Sequence, residues 1–259
     1  MLAGAAEVAR LLWDRGWAER NAGNLSCDVT GIVPVDQASG GPTVPLGAAS
    51  PELAGRCLLV TGAGSRMRDV ALAPETWCGV LRFSDDGAAY SATRHDRDGA
   101  AFTPTSELPS HLAIHAALRR RGAPALAIVH THPTELLALS HDRRIQSEAQ
   151  LNQLLWAMHP EAVVVVPGGI GVGPYILPGT LEQGLAAGAA MERHDVALWK
   201  KHGAVAAGAT FAEAFDLLDT MNEAARLLLL CRAAGYEPEG LTDAQVEELR
   251  RAYGPHPNS

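Results

Sequence analysis

Three stretches of this chain gather side chains able to hold a metal ion or move a proton. The first is His130-Thr131-His132, which closes the apolar run from Ala125 to Val129 and is followed by Pro133. A short apolar run fits a strand buried on both faces, and Pro133 cannot donate to a sheet ladder, so the strand should stop at the histidines. Side chains alternate along a strand, so His130 and His132 leave the same face, close enough to grip one ion. The pair reads either as half a metal site or as two histidines satisfying backbone groups at a polar strand end. The second stretch, Lys200-Lys201-His202-Gly203, is a turn from which a third imidazole could be presented, and it counts only jointly with the pair. The third runs from Pro104 to His111, with Thr105 and Ser106 ahead of an apolar helical pattern that continues to Leu118. Pro109 is tolerated in a first turn, which puts Glu107 near a helix N-terminus, where a carboxylate complements the dipole. His111 and His115 follow one turn apart on one helix face, as ligands or, more plainly, as packing histidines.

Two further segments offer backbone donors. Around Glu19 to Ser26, Asn and Gly permit positive φ and turn N–H groups toward an anion, or simply make a turn into a strand at Asn24 to Val29. Thr61-Gly62-Ala63-Gly64-Ser65 follows a short apolar strand, Cys57 to Val60. It lacks the third glycine of a dinucleotide fingerprint and the lysine of a P-loop, so only N–H donors and the Ser65 hydroxyl remain.

The elements that must position these groups alternate in type. Ala3 to Arg15 carries a helical stripe closed by Gly16. Trp77 to Phe83 and Ala88 to Thr93, joined by Asp85-Asp86-Gly87, read as a hairpin. Pro133 to Leu139 and Glu148 to Met158 read as helices, Glu161 to Pro167 as a second buried strand, and Gly168 to Gly173 as a glycine-rich loop. Thr180 to Arg193 is an Ala-rich helix, Val196 to Trp199 a strand returning as Ala204 to Ala207, and Phe211 to Ala234 a long helix. Thr242 to Tyr253 forms a last amphipathic helix. Asp36 to Gly55, without period, reads as one long surface loop. This predicts an α/β fold, a single domain over residues 1–253 with a frayed tail at 254–259, built on a central, mainly antiparallel or mixed sheet flanked by helices.

Composition narrows the setting. A chain of 259 residues that is 47% hydrophobic and 19% charged can bury one large core. No apolar stretch reaches membrane-span length and no signal peptide is evident, so a soluble, cytoplasmic protein is expected. Cys27, Cys57, Cys78 and Cys231 form no C-x-x-C pair, which argues against a disulfide framework or a cysteine zinc site. A net charge of −8 with no long basic run speaks against nucleic acid.

Taken together, Gly16 to Ser26, Leu59 to Val70, Thr105 to His111, His130 to His132 and Trp199 to Gly203 resemble the class II aldolase and adducin family, zinc-dependent sugar-phosphate lyases that share a fold with adducin head domains. The likeness spans nearly the whole chain. It implies one Zn²⁺ per subunit on His130, His132 and His202, with Glu107 carrying the proton to and from the substrate carbon. It implies a second carboxylate, Glu161, brought from a neighbouring subunit of a homotetramer to the aldehyde end. It implies a phosphorylated ketose held by Asn21, Gly23, Asn24, Gly62, Gly64, Ser65, Thr105 and Ser106. The implied reaction is cleavage of L-rhamnulose 1-phosphate to dihydroxyacetone phosphate and L-lactaldehyde. The alternatives are another ketose-1-phosphate aldolase, a sugar-phosphate epimerase of the same family, or a non-catalytic adducin-like module. The long loop after Asp36 and the GWAERN start favour the first over the shorter fuculose-phosphate aldolases and ribulose-phosphate epimerases. Ala63 stands where the nearest members carry a serine, one hydroxyl fewer for the phosphate.

Overall fold

Ala5, Val8, Ala9 and Leu12 recur at helical spacing and are fully buried, which seats the first helix, α1 (Leu2–Asp14), on the core. Gly16, at φ +73°, ends it in the left-handed region that glycine adopts without strain. The computed structural model describes residues 1–33, 41–92, 102–124 and 126–253. After α1 come β1 (Asn24–Asp28), β2 (Thr43–Pro45), β3 (Cys57–Thr61), two single-turn helices α2 (Met67–Val70) and α3 (Pro74–Trp77), and the hairpin β4 (Cys78–Phe83) and β5 (Ala89–Ala92). Next are α4 (Leu108–Arg120), β6 (Ala127–Thr131), α5 (Thr134–Leu139), α6 (Glu148–Trp156), α7 (Pro160–Val165), β7 (Ile170–Gly173) and α8 (Leu181–Met191). The chain closes with β8 (Val196–Trp199), β9 (Gly203–Gly208), the long α9 (Phe211–Ala233) and α10 (Asp243–Tyr253).

The strands form one nine-stranded sheet in the order β2-β5-β4-β3-β1-β6-β9-β8-β7. Every pairing is antiparallel except β7 with β8, so the sheet is mixed. Alternation along β6 divides the core. Ala127 and Val129 face α1, α5 and α9, while Ile128 packs with Ile114 and Leu118 of α4 and Ala187 and Met191 of α8. His130 has the parity of Ile128 and so points to the α4–α8 side.

Three sequence expectations change. The segment Glu161 to Pro167 is largely helix α7 rather than a strand. Pro160 occupies its first turn with φ already suited to a helix, and only one side is covered, Ala162 and Val163 being buried while Val165 is 39% exposed. A short apolar run carries no period that separates a buried strand from a buried helix, so packing decides. Gly168 to Gly173 is not all loop, because Ile170–Gly173 pairs in parallel with β8 as an edge strand. Its glycines reflect crowding: a Cβ on Gly171 would lie 3.0 Å from the His194 ring and 3.3 Å from Ala190. In the supposed loop from Asp36 to Gly55, the described part holds β2, paired with β5, and a 3₁₀ turn at Pro51–Leu53. The tail at 254–259, Thr93 at the hairpin's end and Ala125 lie outside the described residues.

Candidate metal centre and its carboxylate

The start of β1, the ends of β3, β6 and β8 and the start of β9 meet at one end of the sheet, because antiparallel neighbours exchange starts and ends. Asn24 stands opposite His130 and Thr131 opposite Ala204. His130, 1% exposed, is the penultimate residue of β6. Its Nδ1–H donates to the Ala204 carbonyl (2.9 Å), which leaves the Nε2 lone pair free. His132 lies just beyond the strand, its backbone N–H bonded to the Trp17 carbonyl (3.0 Å) and its Nδ1–H to Glu19 Oε1 (2.8 Å). His202 stands in the β8–β9 turn, next to Lys201 at φ +64°, a conformation costly for a non-glycine residue and retained here where it aims an imidazole. Its Nδ1 is 3.0 Å from Gln183 Nε2, and Gln183 Oε1 accepts from the Gly179 N–H (2.8 Å). In that arrangement the neutral His202 ring carries its proton on Nε2, and ligation through that nitrogen takes the Nδ1–H tautomer instead.

One ligand nitrogen from each of the three rings lies within 4.8 Å of the other two. Gly203 makes the approach feasible. A Cβ there would sit 2.6 Å from the Thr131 carbonyl oxygen and 2.8 and 2.9 Å from the rings of His132 and His130. Trp199 of β8 packs on His130 with ring centroids 4.7 Å apart and the planes tilted by 31°. Burial pushes the His130 imidazole down to about 4, against the pull of Glu107, so it stays neutral near pH 7, the form that ligates. This donor set fits a divalent ion, and three neutral imidazoles leave a coordination position for substrate.

Glu107 is the residue immediately ahead of α4 and is 7% exposed. Its Oε2 accepts from Asn24 Nδ2 (2.7 Å) and lies 3.1 Å from His130 Nε2; its Oε1 lies 3.1 Å from His202 Nε2 without hydrogen-bonding geometry. Burial opposes ionisation of this carboxyl, but the neighbouring His130 and His202 rings and the Asn24 amide outweigh it and hold its pKa below the usual carboxylate range. Its side chain reaches the metal cluster rather than bonding to the helix end, a role that capping logic does not reveal.

The anion-binding candidates are joined to this end by backbone bonds. The Thr105 N–H donates to the Thr61 carbonyl (2.9 Å) and Gly62 bridges Pro104. In the glycine loop, the amides of Gly62, Ala63 and Ser65 are already bonded to Trp77, Thr103 and Gly62 carbonyls. Gly64, exposed and at φ +71°, is left as the amide of this loop without a partner among the described residues. Gly23 is buried and Asn21 and Ser106 are exposed, whereas the Asn24 side chain is engaged by Glu107 and His111. Glu161 does not join the cluster in this chain. It lies at the start of α7, its side chain 68% exposed, bonded to His159 Nδ1 (2.8 Å), a contact that holds its carboxyl below the usual range. Glu19 and Gln183, which touch the histidines, carry no spacing signal at all, since one comes from a loop and the other from α8.

A mixed sheet whose one end gathers three imidazoles and a buried carboxylate defines an α/β protein with a candidate metal site. The family model described as "Class II Aldolase and Adducin N-terminal domain" matches residues 3–229, and the chain belongs to that family. It is 37% identical over 256 residues to the rhamnulose-1-phosphate aldolase of Bacteroides thetaiotaomicron, covering 96% of this chain and 92% of that one. It is 33% identical over 254 residues to a protein of the same name from Listeria monocytogenes, covering 96% and 91%. Among solved structures, a sugar-phosphate aldolase from Thermotoga maritima matches with a TM-score of 0.79 at 34% identity, covering 92% of this chain and 97% of that chain.

Proposed function

We propose that this protein is a zinc-dependent aldolase that cleaves L-rhamnulose 1-phosphate to dihydroxyacetone phosphate and L-lactaldehyde. The observation that carries the reading is the convergence of His130, His132 and His202 beside an ionised, buried Glu107, in a chain similar over nearly its whole length to rhamnulose-1-phosphate aldolases. A divalent ion held by the three imidazoles supplies a Lewis acid for the negative charge that develops on substrate oxygens, worth on the order of several kcal/mol.

The chain's own groups do the rest. In the synthetic direction ionised Glu107 takes a proton from the carbon of dihydroxyacetone phosphate that forms the new bond, and in cleavage it returns that proton to the same carbon. In cleavage Glu107 enters protonated, the hydroxyl on the carbon that becomes the aldehyde gives its proton to a carboxylate at the aldehyde end, and exchange with solvent restores both carboxyl groups, so protons balance over a turnover. Glu161 of a neighbouring subunit stands at the aldehyde end in this reading. The phosphate rests on the Gly64 amide and the Ser65, Thr105 and Ser106 hydroxyls, with the Asn21 to Asn24 turn closing over it. A homotetramer accords with exposed Tyr175, Leu177, Leu181 and Leu185, large apolar side chains clustered on and just ahead of α8. Among the described residues no helix is long and apolar enough to cross a membrane, and a cytoplasmic sugar-catabolic enzyme is the setting we assign.

The test is a coupled assay of dihydroxyacetone phosphate release from L-rhamnulose 1-phosphate and L-fuculose 1-phosphate, on zinc-loaded and chelator-treated protein. Zinc-dependent release favouring the rhamnulose ester is the expected result. Preferential release from the fuculose ester would overturn the substrate, and no release from either despite bound zinc would overturn the reaction.

A further inference from the structure

Two buried histidines remain that the reaction does not use. His111 is 1% and His115 3% exposed, one turn apart on α4, and both are bonded to the same Ser26 hydroxyl of β1. His111 Nδ1 is 2.6 Å from Ser26 Oγ and His115 Nε2 is 2.9 Å from it. The other nitrogen of His111, Nε2, contacts Asn24 Oδ1, and Asn24 Nδ2 in turn meets Glu107 Oε2 at 2.7 Å. Four side chains thus run from α4 through β1 back to the carboxylate at the head of α4.

Donor and acceptor chemistry assigns every proton in this chain. Asn24 sets its amide nitrogen, a donor, against Glu107 Oε2 and its oxygen, an acceptor, against His111 Nε2. His111 must then carry its proton on Nε2, leaving Nδ1 to accept from the Ser26 hydroxyl, and the Ser26 oxygen accepts from His115 Nε2–H. All the donors point the same way, toward Glu107, an order in which each bond polarises the next. Burial lowers His111 to about 3 and His115 to about 4, so both rings are neutral near pH 7, as this order of bonds demands. A packing pair would need only volume, whereas here each nitrogen facing the chain has a partner of matching sense.

We infer that His111, with Ser26 and His115 behind it, is a positioning residue that locks the Asn24 amide with its donor end on Glu107 Oε2. Reversing the amide would set its oxygen against the carboxylate and force every bond behind it to exchange donor for acceptor, with both rings changing tautomer. This rests on the aldolase reading above for its kinetic arm, but not for its spectroscopic one.

The experiment has two arms. Imidazole ¹⁵N shifts of the metal-free and zinc-loaded protein report the tautomer of each ring directly, and both His111 and His115 are expected as neutral Nε2–H tautomers. His111 found charged or as the Nδ1–H tautomer overturns the inference, whatever the protein catalyses. In the kinetic arm, His111→Phe keeps the ring volume and removes both bonds, and kcat should fall about 10- to 100-fold with KM little changed, as a misplaced reacting group does. His111→Gln offers a donor and an acceptor at similar spacing and should recover most of that loss. Equal turnover of His111→Phe and wild type, or equal impairment of the Phe and Gln variants, overturns the inference. Should His111→Phe not fold, Ser26→Ala removes the link with less disturbance; loss of the single His111 tautomer is then expected, and an unchanged ¹⁵N pattern overturns the inference. Wild-type protein inactive on every ketose 1-phosphate would sink the aldolase reading and leave the tautomer result standing.

Discussion

Glu107 and Glu161 are the same residue type, each at the start of a helix, and the molecule treats them oppositely. Glu107 is buried beneath Asn24, His130 and His202, and its helix, α4, is packed against the sheet and α8. Glu161 heads a six-residue helix, projects into solvent and is bonded to His159. Only the first environment removes water, orients the carboxylate and multiplies the strength of each contact. A carboxylate like Glu161 acquires such an environment only if another surface closes over it, so one chain holds a buried carboxylate beside three imidazoles and a solvated one.

The comparison can be broken most directly by equal substitution. Glu107→Gln should lower kcat by roughly 10² to 10⁴-fold, the usual range for removal of a positioned acid or base, while zinc stoichiometry stays at one per chain. Turnover near wild type would remove Glu107 from the mechanism. Glu161→Gln is expected to cost about tenfold, below that range because solvent partly replaces the group. Its loss should be recovered in mixed oligomers with a Glu107→Gln chain only if the glutamate crosses a subunit boundary; equal activity of mixed and unmixed samples would rule that crossing out.

Glu19 sharpens the contrast, because it is 66% exposed yet touches the site through His132 Nδ1. If the contact rather than burial is what matters, Glu19→Gln should weaken zinc binding by about tenfold, the low end for loss of a carboxylate behind a ligating histidine. Competition with a chelator reads this, and an unchanged dissociation constant would make Glu19 a bystander.

A separate effect is on stability. His111, His115 and His130 have folded pKa values of about 3, 4 and 4, against 6.5 unfolded. Between those limits the unfolded chain binds more protons, so stability rises with pH: it is complete above about 6.5 and is lost as pH falls toward 4. The Tm of the metal-free protein should therefore decline steadily from pH 7 to pH 5, less steeply in His111→Gln, and a flat profile in calorimetry would contradict the buried, neutral assignment.

Some of this was legible in residues alone. Alternation sends His130 and His132 to one side and Pro133 stops the strand, but periodicity alone leaves the pair open between half a metal site and two satisfied histidines; the set with His202 comes from the family resemblance, and the structure brings one ring nitrogen of each within 4.8 Å of the others. The helices α1, α4, α8 and α9 follow from apolar spacing and caps. Other features depend on what packs where. The valines of α7 have no period that separates helix from strand, and the edge strand Ile170–Gly173 looks like a loop until β8 and His194 crowd its glycines.

What the amino-acid sequence determined by itself is therefore the set of elements and the face on which each reactive side chain leaves its own element, because local sterics and periodicity act over a few residues. What only the tertiary structure decided is partnership. That Asn24 turns to Glu107 and not outward, that Gly62 and Ser65 amides are already bonded, that Gln183 stands behind His202 and that Glu161 stays in solvent are contacts between residues far apart in sequence. Directional hydrogen bonds and burial set them, and neither exists until the sheet brings its strand ends together.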